Sequence, residues 1–194
     1  MSAGLEQIAE ELHKPYRKNF LRRKVYTGAV DNIWAADLVD MSGWKKYNDD
    51  YKMMLTVIDG TSKYAWAIPL KGKTGKEVTD AFKRILDESK RSPNKLWVDQ
   101  GKEFYNKDFQ ALMDSKGITM YSTQSGLKSV FAESFNKTLK TKMYKSFTST
   151  GTRRWVDFLD DLLNWYNTRT HSAINATPVY ASTHPDVFEP EEKS

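Results

Sequence analysis

The sequence contains no cysteine and only three histidines in 194 residues. Without cysteine the chain can form no disulfide, and it cannot build a His-His-Cys-Cys zinc module. The histidines, His13, His171 and His184, are widely scattered, so we expect no structural zinc and interpret each as a surface or capping residue. The chain also has neither an apolar run long enough to cross a bilayer nor a secretory signal. These absences predict a soluble, intracellular protein.

The composition fits one globular core flanked by two charged ends. Hydrophobic residues make up 39% and charged residues 28% of the chain, with a net charge of +5. We predict a basic N-terminal arm or helix over 1–30, a core over 31–182 and an acidic linker over 183–194. The linker carries Pro185, Asp186, Glu189, Pro190, Glu191 and Glu192, and we interpret it as leading to a targeting module outside this chain.

The N-terminal arm is rich in cations. Between positions 14 and 24 there is no acid, and Tyr16 and Phe20 are interleaved with the basic residues. The cations are Lys14, Arg17, Lys18, Arg22, Arg23 and Lys24. This pattern predicts a phosphate-binding arm. A disordered, solvated tail is the alternative, and the arm could also become ordered only on DNA.

Hydrophobic periodicity predicts five strands and four helices. The strands are 33–41, 51–59, 63–69, 94–99 and 118–121, and the helices are 74–90, 106–117, 130–147 and 152–169. Three strands followed by alternating helices and strands indicate an α/β fold with a mixed five-stranded sheet flanked by helices. In the last helix Trp155, Phe158, Leu159, Leu162 and Tyr166 share one stripe, which predicts core packing or an oligomer interface.

The first strand places a carboxylate in an apolar row. In segment 33–41 alternate side chains share a face, and one face contains Ile33, Ala35, Asp37 and Val39. A buried carboxylate without a partner is costly, and a divalent cation is an economical compensation. A strand-end Asp bonded to backbone amides is the alternative. Asp40 is on the opposite face, where we expect it to meet solvent, and Asp59-Gly60 predicts a structural hairpin turn rather than a further ligand.

Two further acids lie at positions that suit metal binding. Asp99 ends an apolar run just before Gly101, a pattern that by itself also indicates a simple turn. Glu133 opens a helix whose apolar stripe comprises Ala132, Phe135, Leu139, Met143 and Phe147. A second stripe contains Glu133, Lys137, Lys140 and Tyr144. This stripe is either a solvated helix face with an i, i+4 ion pair between Glu133 and Lys137, or a metal ligand, Glu133, followed by cations that bind phosphates. Together Asp37, Asp99 and Glu133 suggest a two-metal phosphodiester enzyme.

The sequence motifs around these acids resemble those of a known family. Trp34-Ala35-Ala36-Asp37, Val98-Asp99-Gln100-Gly101-Lys102-Glu103-Phe104 and Ala132-Glu133-Ser134-Phe135-Asn136-Lys137-Thr138-Leu139-Lys140 are similar to the three acidic motifs of retroviral-type integrases, the D,D,E class. Further phrases look most like the integrases of Polinton (Maverick) transposons and virophages. Among these are His13-Lys14-Pro15, Arg22-Arg23-Lys24-Val25, Asp37-Leu38-Val39-Asp40-Met41 and Tyr166-Asn167-Thr168-Arg169-Thr170-His171-Ser172.

The resemblance implies an RNase H-like fold that brings Asp37, Asp99 and Glu133 to one pocket as catalytic residues and metal ligands. It implies two Mg²⁺ ions, with Mn²⁺ able to substitute, and a reaction that trims the 3′ ends of element DNA and joins them to target DNA. Its partners would be element-end and target double-stranded DNA and further copies of the chain, in the nucleus or in a viral or virophage particle or factory. We expect DNA contacts from Lys137, Lys140, Lys128, Gln124, Tyr121, Arg17, Lys18, Arg22, Arg23 and Lys24.

Two other functions remain open from the sequence. A nuclease of the same fold would cut DNA without joining it. A non-catalytic DNA-binding derivative of a transposon integrase would keep the fold without turnover. The polar segment 121–129, which directly precedes the helix of Glu133, is either a DNA-contacting loop or an ordinary mobile one.

Overall fold

The structure, a computed structural model, describes residues 27–122 and 130–188 together with single positions at 4, 8, 11 and 12. Its strands are β1 (Ile33–Asp40), β2 (Met53–Asp59), β3 (Ala65–Leu70), β4 (Lys95–Trp97) and β5 (Thr119–Tyr121). They form one sheet in the order β3-β2-β1-β4-β5. The pairs β1–β2 and β2–β3 are antiparallel, whereas β1–β4 and β4–β5 are parallel. The predicted mixed five-stranded sheet is confirmed.

The described helices pack on both faces of this sheet. They are α1 (Gly75–Ser89), α2 (Lys107–Lys116), α3 (Val130–Thr150), α4 (Leu159–Thr168) and α5 (Pro178–Thr183). Local sequence fixes several of their ends: Thr74 and Glu77 form a capping box at the start of α1, and the Asn106 side chain accepts a hydrogen bond from the Phe109 N–H at the start of α2. Among the described residues no helix is long and apolar enough to cross a membrane.

The sheet divides the core into two layers because side chains alternate along β1. Trp34, Ala36 and Leu38 face the layer formed by α1 and α2. Ala35 and Val39 face the layer formed by α3 and α4, which contributes Phe135, Leu139, Met143, Leu162 and Tyr166. The stripe predicted for the last helix is therefore core, since Trp155, Leu159, Leu162 and Tyr166 are all buried. Asp37 belongs to the α3–α4 face.

The structure departs from the predicted elements in the β1–β2 connection, at the start of the last predicted helix, and in the unpredicted helix α5. The link from β1 to β2 contains a 3-10 helix, Ser42–Tyr47, and the predicted helix over 152–169 is a 3-10 turn, Trp155–Asp157, followed by α4 from Leu159. Asn48 explains the late start of that helix. Its side chain donates a hydrogen bond to the Arg153 carbonyl and accepts one from the Val156 N–H. These two backbone groups therefore bond to Asn48 at the positions where the predicted helix would begin.

Asp59 has structural contacts, in agreement with the turn interpretation. It is fully buried and accepts hydrogen bonds from the Thr61 N–H, the Ser62 hydroxyl and Arg91 Nη2 at 3.1, 2.5 and 2.9 Å. Arg91 also pairs with Asp31 at 2.6 Å. Burial raises the pKa of Asp59 despite these donors. The side chain therefore stabilises the β2–β3 turn.

Candidate active site

Asp37 is half-buried on β1 and is held by a side chain from α3. The Asn136 Nδ2 group donates a hydrogen bond to Asp37 Oδ2 at 2.8 Å. Asn136 is itself buried, with 9% of its surface exposed. Ala35 and Val39, which flank Asp37 on the same face of β1, are buried as well. A hydrogen-bond donor aimed at the carboxylate offsets part of the cost of removing it from water.

Strand pairing brings Asp99 to the level of Asp37. In the parallel pair of β1 and β4, Ala35 is opposite Trp97. Because the two strands are parallel, Asp37 and Asp99, which follow Ala35 and Trp97 by two residues each, lie at the same level of the sheet. Asp99 lies just past the end of β4 and is exposed.

Glu133 enters the same region from the first turn of α3 and is also exposed. A small pocket with a cavity volume of about 20 Å³ is lined by all three acids. Its other walls are Ala36, Trp97, Val98 and Ala132. The structure therefore places the three sequence-predicted acids around one pocket. Among the described residues, however, no group of three or more His, Cys, Asp or Glu side chains has the spacing of a ready metal site.

The donors around this pocket suit a hard divalent cation. They are carboxylate oxygens, which Mg²⁺ and Mn²⁺ prefer, and no soft ligand is found among the described residues that line the pocket. Carboxylates repel one another at short range, and a divalent cation bound between them offsets this repulsion. In addition, Asn136 Oδ1 is a buried acceptor without a hydrogen-bond partner in the described part of the chain. A buried acceptor of this kind suits a water molecule bound to a cation.

Asp40 lies outside the pocket, as its position on β1 predicts. It is exposed and accepts a hydrogen bond from the Ser42 N–H at 2.7 Å. Hydrogen bonds from the Ser42 side chain and backbone, with smaller contributions from Lys73 and Lys140, hold the pKa of Asp40 below its usual value. The prediction that Asp40 meets solvent is confirmed.

Three of the predicted DNA-contacting residues can be placed. Lys137 is exposed and Lys140 half-buried on the α3 stripe that begins with Glu133. Tyr121 ends β5, its ring 5.5 Å from that of Trp97, and burial raises the pKa of its phenol. The remaining residues, Gln124, Lys128, Arg17, Lys18, Arg22, Arg23 and Lys24, lie outside the described residues.

Sequence reasoning did not identify Asn136 and Trp97 as parts of the site. Asn136 follows Glu133 by three positions, a spacing that puts two side chains on neighbouring parts of one helix surface and could have indicated its role. Trp97 resembled an ordinary core residue, and it does pack against Phe131 at 6.2 Å while lining the pocket.

Comparisons with known proteins agree with this arrangement. The model of the integrase core domain family matches residues 29–127. An uncharacterized transposon-derived protein of Caenorhabditis elegans is 34% identical over 139 residues, which cover 72% of this chain and 49% of that protein. The chain thus spans about half the length of this curated relative.

Solved structures share the fold. The HTLV-2 integrase catalytic core in complex with magnesium matches in its trimeric form with a TM-score of 0.63 and 18% identity, over 77% of this chain and 95% of that one. Its dimeric form matches with a TM-score of 0.65 and 18% identity, over 79% and 97%. The sheet with its flanking helices is therefore the RNase H-like fold of integrase catalytic cores.

Proposed function

Because the chain belongs to the integrase core domain family, we propose that it is a DNA integrase or transposase, a polynucleotidyl transferase that trims the 3′ ends of element DNA and joins them to target DNA. The observation that carries the proposal is the pocket lined by Asp37, Asp99 and Glu133. Three acids from β1, the end of β4 and the start of α3 meet there, although they are distant in sequence. Within the family, the motif phrases support a relationship to Polinton-type transposon integrases.

In this proposal Asp37, Asp99 and Glu133 hold two Mg²⁺ ions, and the pocket uses no zinc. When bound, such ions supply Lewis-acid stabilisation of charge at the attacking and leaving oxygens of a phosphate. Asn136 keeps the Asp37 carboxylate in one orientation through its 2.8 Å hydrogen bond. The apolar walls formed by Val98 and Ala132 narrow the pocket beside the carboxylates. One site serves both steps, since trimming and joining are in-line displacements at phosphorus that differ in the nucleophile.

The substrates we propose are element-end and target double-stranded DNA. Lys137 and Lys140 continue from Glu133 along α3 and suit contacts with phosphates. Affinity for DNA should then weaken steeply with salt. The slope of the logarithm of the binding constant against the logarithm of the salt concentration should be roughly −0.9 per phosphate neutralised. Joining two ends requires more than one copy, so we also propose a homo-oligomer that acts in the nucleus; the dimeric and trimeric forms of the HTLV-2 core support self-association.

The test is a joining assay with candidate element-end duplexes, supercoiled plasmid and Mg²⁺. We expect Asp37→Asn, Asp99→Asn and Glu133→Gln each to abolish joined products while the circular dichroism spectrum and the melting temperature stay close to those of the wild type. Asp40→Asn is the matched control because Asp40 lies on the same strand, is exposed and does not line the pocket. That variant should retain joining.

The possible outcomes separate the alternatives. Joining by any of the three acid variants under Mg²⁺ would defeat the assignment of the pocket. Wild-type protein that cuts the duplexes but never joins them would be a nuclease of this fold. Wild-type protein that binds the duplexes and neither cuts nor joins would be a non-catalytic derivative.

A further inference from the structure

The 3-10 helix between β1 and β2 presents cations and aromatic rings to solvent beside the turn that joins α3 to α4. Lys45, Lys46 and Tyr47 are exposed on this helix, and Arg153 is exposed on the turn. The Arg153 guanidinium lies over the rings of Trp44 and Tyr47, at 5.2 and 5.7 Å from their centroids. We refer to Lys45, Lys46, Tyr47 and Arg153 as the Arg153 platform.

The platform is tied to the core by one buried side chain and flanked by an exposed ion pair. Asn48 is fully buried, and its Nδ2 donates to the Trp44 carbonyl at 2.8 Å and to the Arg153 carbonyl at 2.9 Å. Arg154 pairs with Asp49 through two hydrogen bonds of 3.0 and 2.6 Å. These contacts join two segments more than a hundred residues apart in sequence, so the backbone that carries the platform cations is anchored.

The platform cations differ from other arginines of the fold in their partners. Arg84, Arg91 and Arg154 each form ion pairs with acids at 2.6–2.9 Å. Among the described residues no acid lies within ion-pair distance of Arg153, Lys45 or Lys46; instead Arg153 is held by the two rings and by a 3.4 Å hydrogen bond to the Tyr47 hydroxyl. Hydrogen bonds from Lys46 and Arg153 also lower the pKa of Tyr47. The nearby Asp49 and Asp157 are paired with Arg154.

The platform adjoins the C-terminal end of the α3 stripe that begins with Glu133. The Trp44 ring, beneath Arg153, is 6.4 Å from Tyr144 and 5.3 Å from Phe147 on α3. Tyr144 ends the stripe that begins with Glu133 and continues through Lys137 and Lys140. Eleven residues at 1.5 Å per residue give about 16 Å from Glu133 to Tyr144. For a duplex that lies along α3, with base pairs stacked every 3.4 Å, this length corresponds to about five base pairs.

We propose that the Arg153 platform binds the phosphodiester backbone of duplex DNA about five base pairs from the phosphate that reacts at the pocket of Asp37, Asp99 and Glu133. An unpaired guanidinium held on aromatic rings keeps its N–H donors available for phosphate oxygens at little further loss of side-chain entropy. The distance in this proposal rests on the proposed function, which defines the reacting phosphate. The binding of DNA by the platform does not rest on it.

The first experiment measures affinity without catalysis. Full-length chain is titrated against fluorescent duplexes of random sequence in EDTA at several salt concentrations. We expect Arg153→Gln and Lys46→Gln each to weaken binding about three- to tenfold and to reduce the salt slope by about 1. Lys83→Gln on α1 removes the same charge from another face, and Arg169→Gln removes a guanidinium stacked on Trp165 at 4.4 Å. These controls should bind as the wild type does.

Unchanged affinity in both platform variants would overturn the proposal, and so would equal losses in the controls, which would indicate a general effect of net charge. A change confined to self-association, measured by light scattering, would assign the surface to a protein contact and overturn it as well. Because Arg153 and Lys46 are exposed, their replacement should leave the melting temperature unchanged. An unchanged melting temperature then verifies that each variant is correctly folded. Because no step requires turnover, failure of the joining assay leaves this result interpretable.

The second experiment locates the platform on DNA. Since the chain has no cysteine, Lys46→Cys provides a unique thiol for an EDTA–iron cleavage reagent. In complexes with duplexes that the wild-type chain joins, we expect strand cuts centred about five base pairs from the reacting phosphate. Cuts centred at the reacting phosphate, or no cuts above those of Lys83→Cys, would contradict the proposed position.

Discussion

Asn136 determines how Asp37 is presented to the pocket. Its amide is buried, one end donates to Asp37 Oδ2, and its oxygen lacks a hydrogen-bond partner among the described residues. Because a carboxylate only accepts hydrogen bonds, the assignment of nitrogen toward Asp37 follows from the contact itself. Asn136 thus acts on the reaction through Asp37, as a positioning residue.

Replacing Asn136 should therefore lower activity without unfolding the chain. We expect Asn136→Ala to reduce joining by about 10–100-fold, the usual effect of removing a group that orients a metal ligand, and to raise the Mg²⁺ concentration needed for half-maximal rate. Asn136→Asp should move the pH profile of joining upward, because a second carboxylate raises the pKa of Asp37.

The control for Asn136 is Thr138→Ala on the same helix, whose hydroxyl contacts only the Ser134 carbonyl among the described residues. It should behave as the wild type does. A purely structural role for Asn136 would predict a lowered melting temperature with unchanged Mg²⁺ and pH dependence. That result would contradict the positioning role.

At the scale of elements, Asn48 joins the β1–β2 connection to the turn before α4. Its side chain makes three hydrogen bonds to backbone groups, two as donor and one as acceptor. The three backbone groups lie in or next to the 3-10 helices Ser42–Tyr47 and Trp155–Asp157, so one buried amide connects these two segments. The predicted long helix over 152–169 gives way to this contact.

We predict that Asn48→Ala destabilises the fold, because each buried backbone group left without a partner costs about 1–3 kcal/mol. Urea unfolding followed by tryptophan fluorescence measures the change in the free energy of unfolding. The matched control is Asn94→Ala, since Asn94 is exposed and its side chain makes, within the described part of the chain, only a 3.4 Å hydrogen bond to Asn32. Equal stability of the two variants would show that Asn48 does not hold the two segments together.

At the scale of the whole molecule, His171 links folding to pH. Its Nε2 lies 2.8 Å from the Tyr166 carbonyl oxygen, and its ring packs edge-on against Tyr166 at 4.5 Å. Burial, opposed by the Tyr166 contact and reinforced by Arg169 and Lys63, lowers the pKa of His171 below its usual value of 6.5. The unfolded chain therefore binds this proton more readily than the folded chain does.

The contribution of neutral His171 to the free energy of unfolding is fully present above pH 6.5. It is lost as the pH falls through the lowered pKa that His171 has in the folded chain. We expect the free energy of unfolding to decrease on acidification through this window, and the decrease to be smaller in His171→Gln. Asp59 acts with the opposite sign, because its raised pKa favours proton binding by the folded chain. Urea unfolding of variant and wild type across the same pH series isolates the histidine. Parallel curves would contradict the prediction.

Local pattern predicted much of this molecule. The alternation along β1 placed Asp37 on the same face as Ala35 and Val39, and the structure has it there. The strand order was a harder problem, because pairing of β1 with β4 joins segments about sixty residues apart. The 3-10 helix Ser42–Tyr47 was missed since it has no apolar period of its own and is stabilised by Asn48 and Arg154.

The sequence by itself determined the strands and the helix that carry Asp37, Asp99 and Glu133, because strand and helix periodicity depend on residues only two to four positions apart. The resemblance to integrase motifs, and not this periodicity, singled out the three acids. Only the tertiary structure decided which side chains meet. Asn136 reaches Asp37 across 99 positions, and Asn48 reaches the Arg153 carbonyl across 105. Such contacts follow from the packing of α3 on the sheet and from the turn beside it, and no local pattern specifies them.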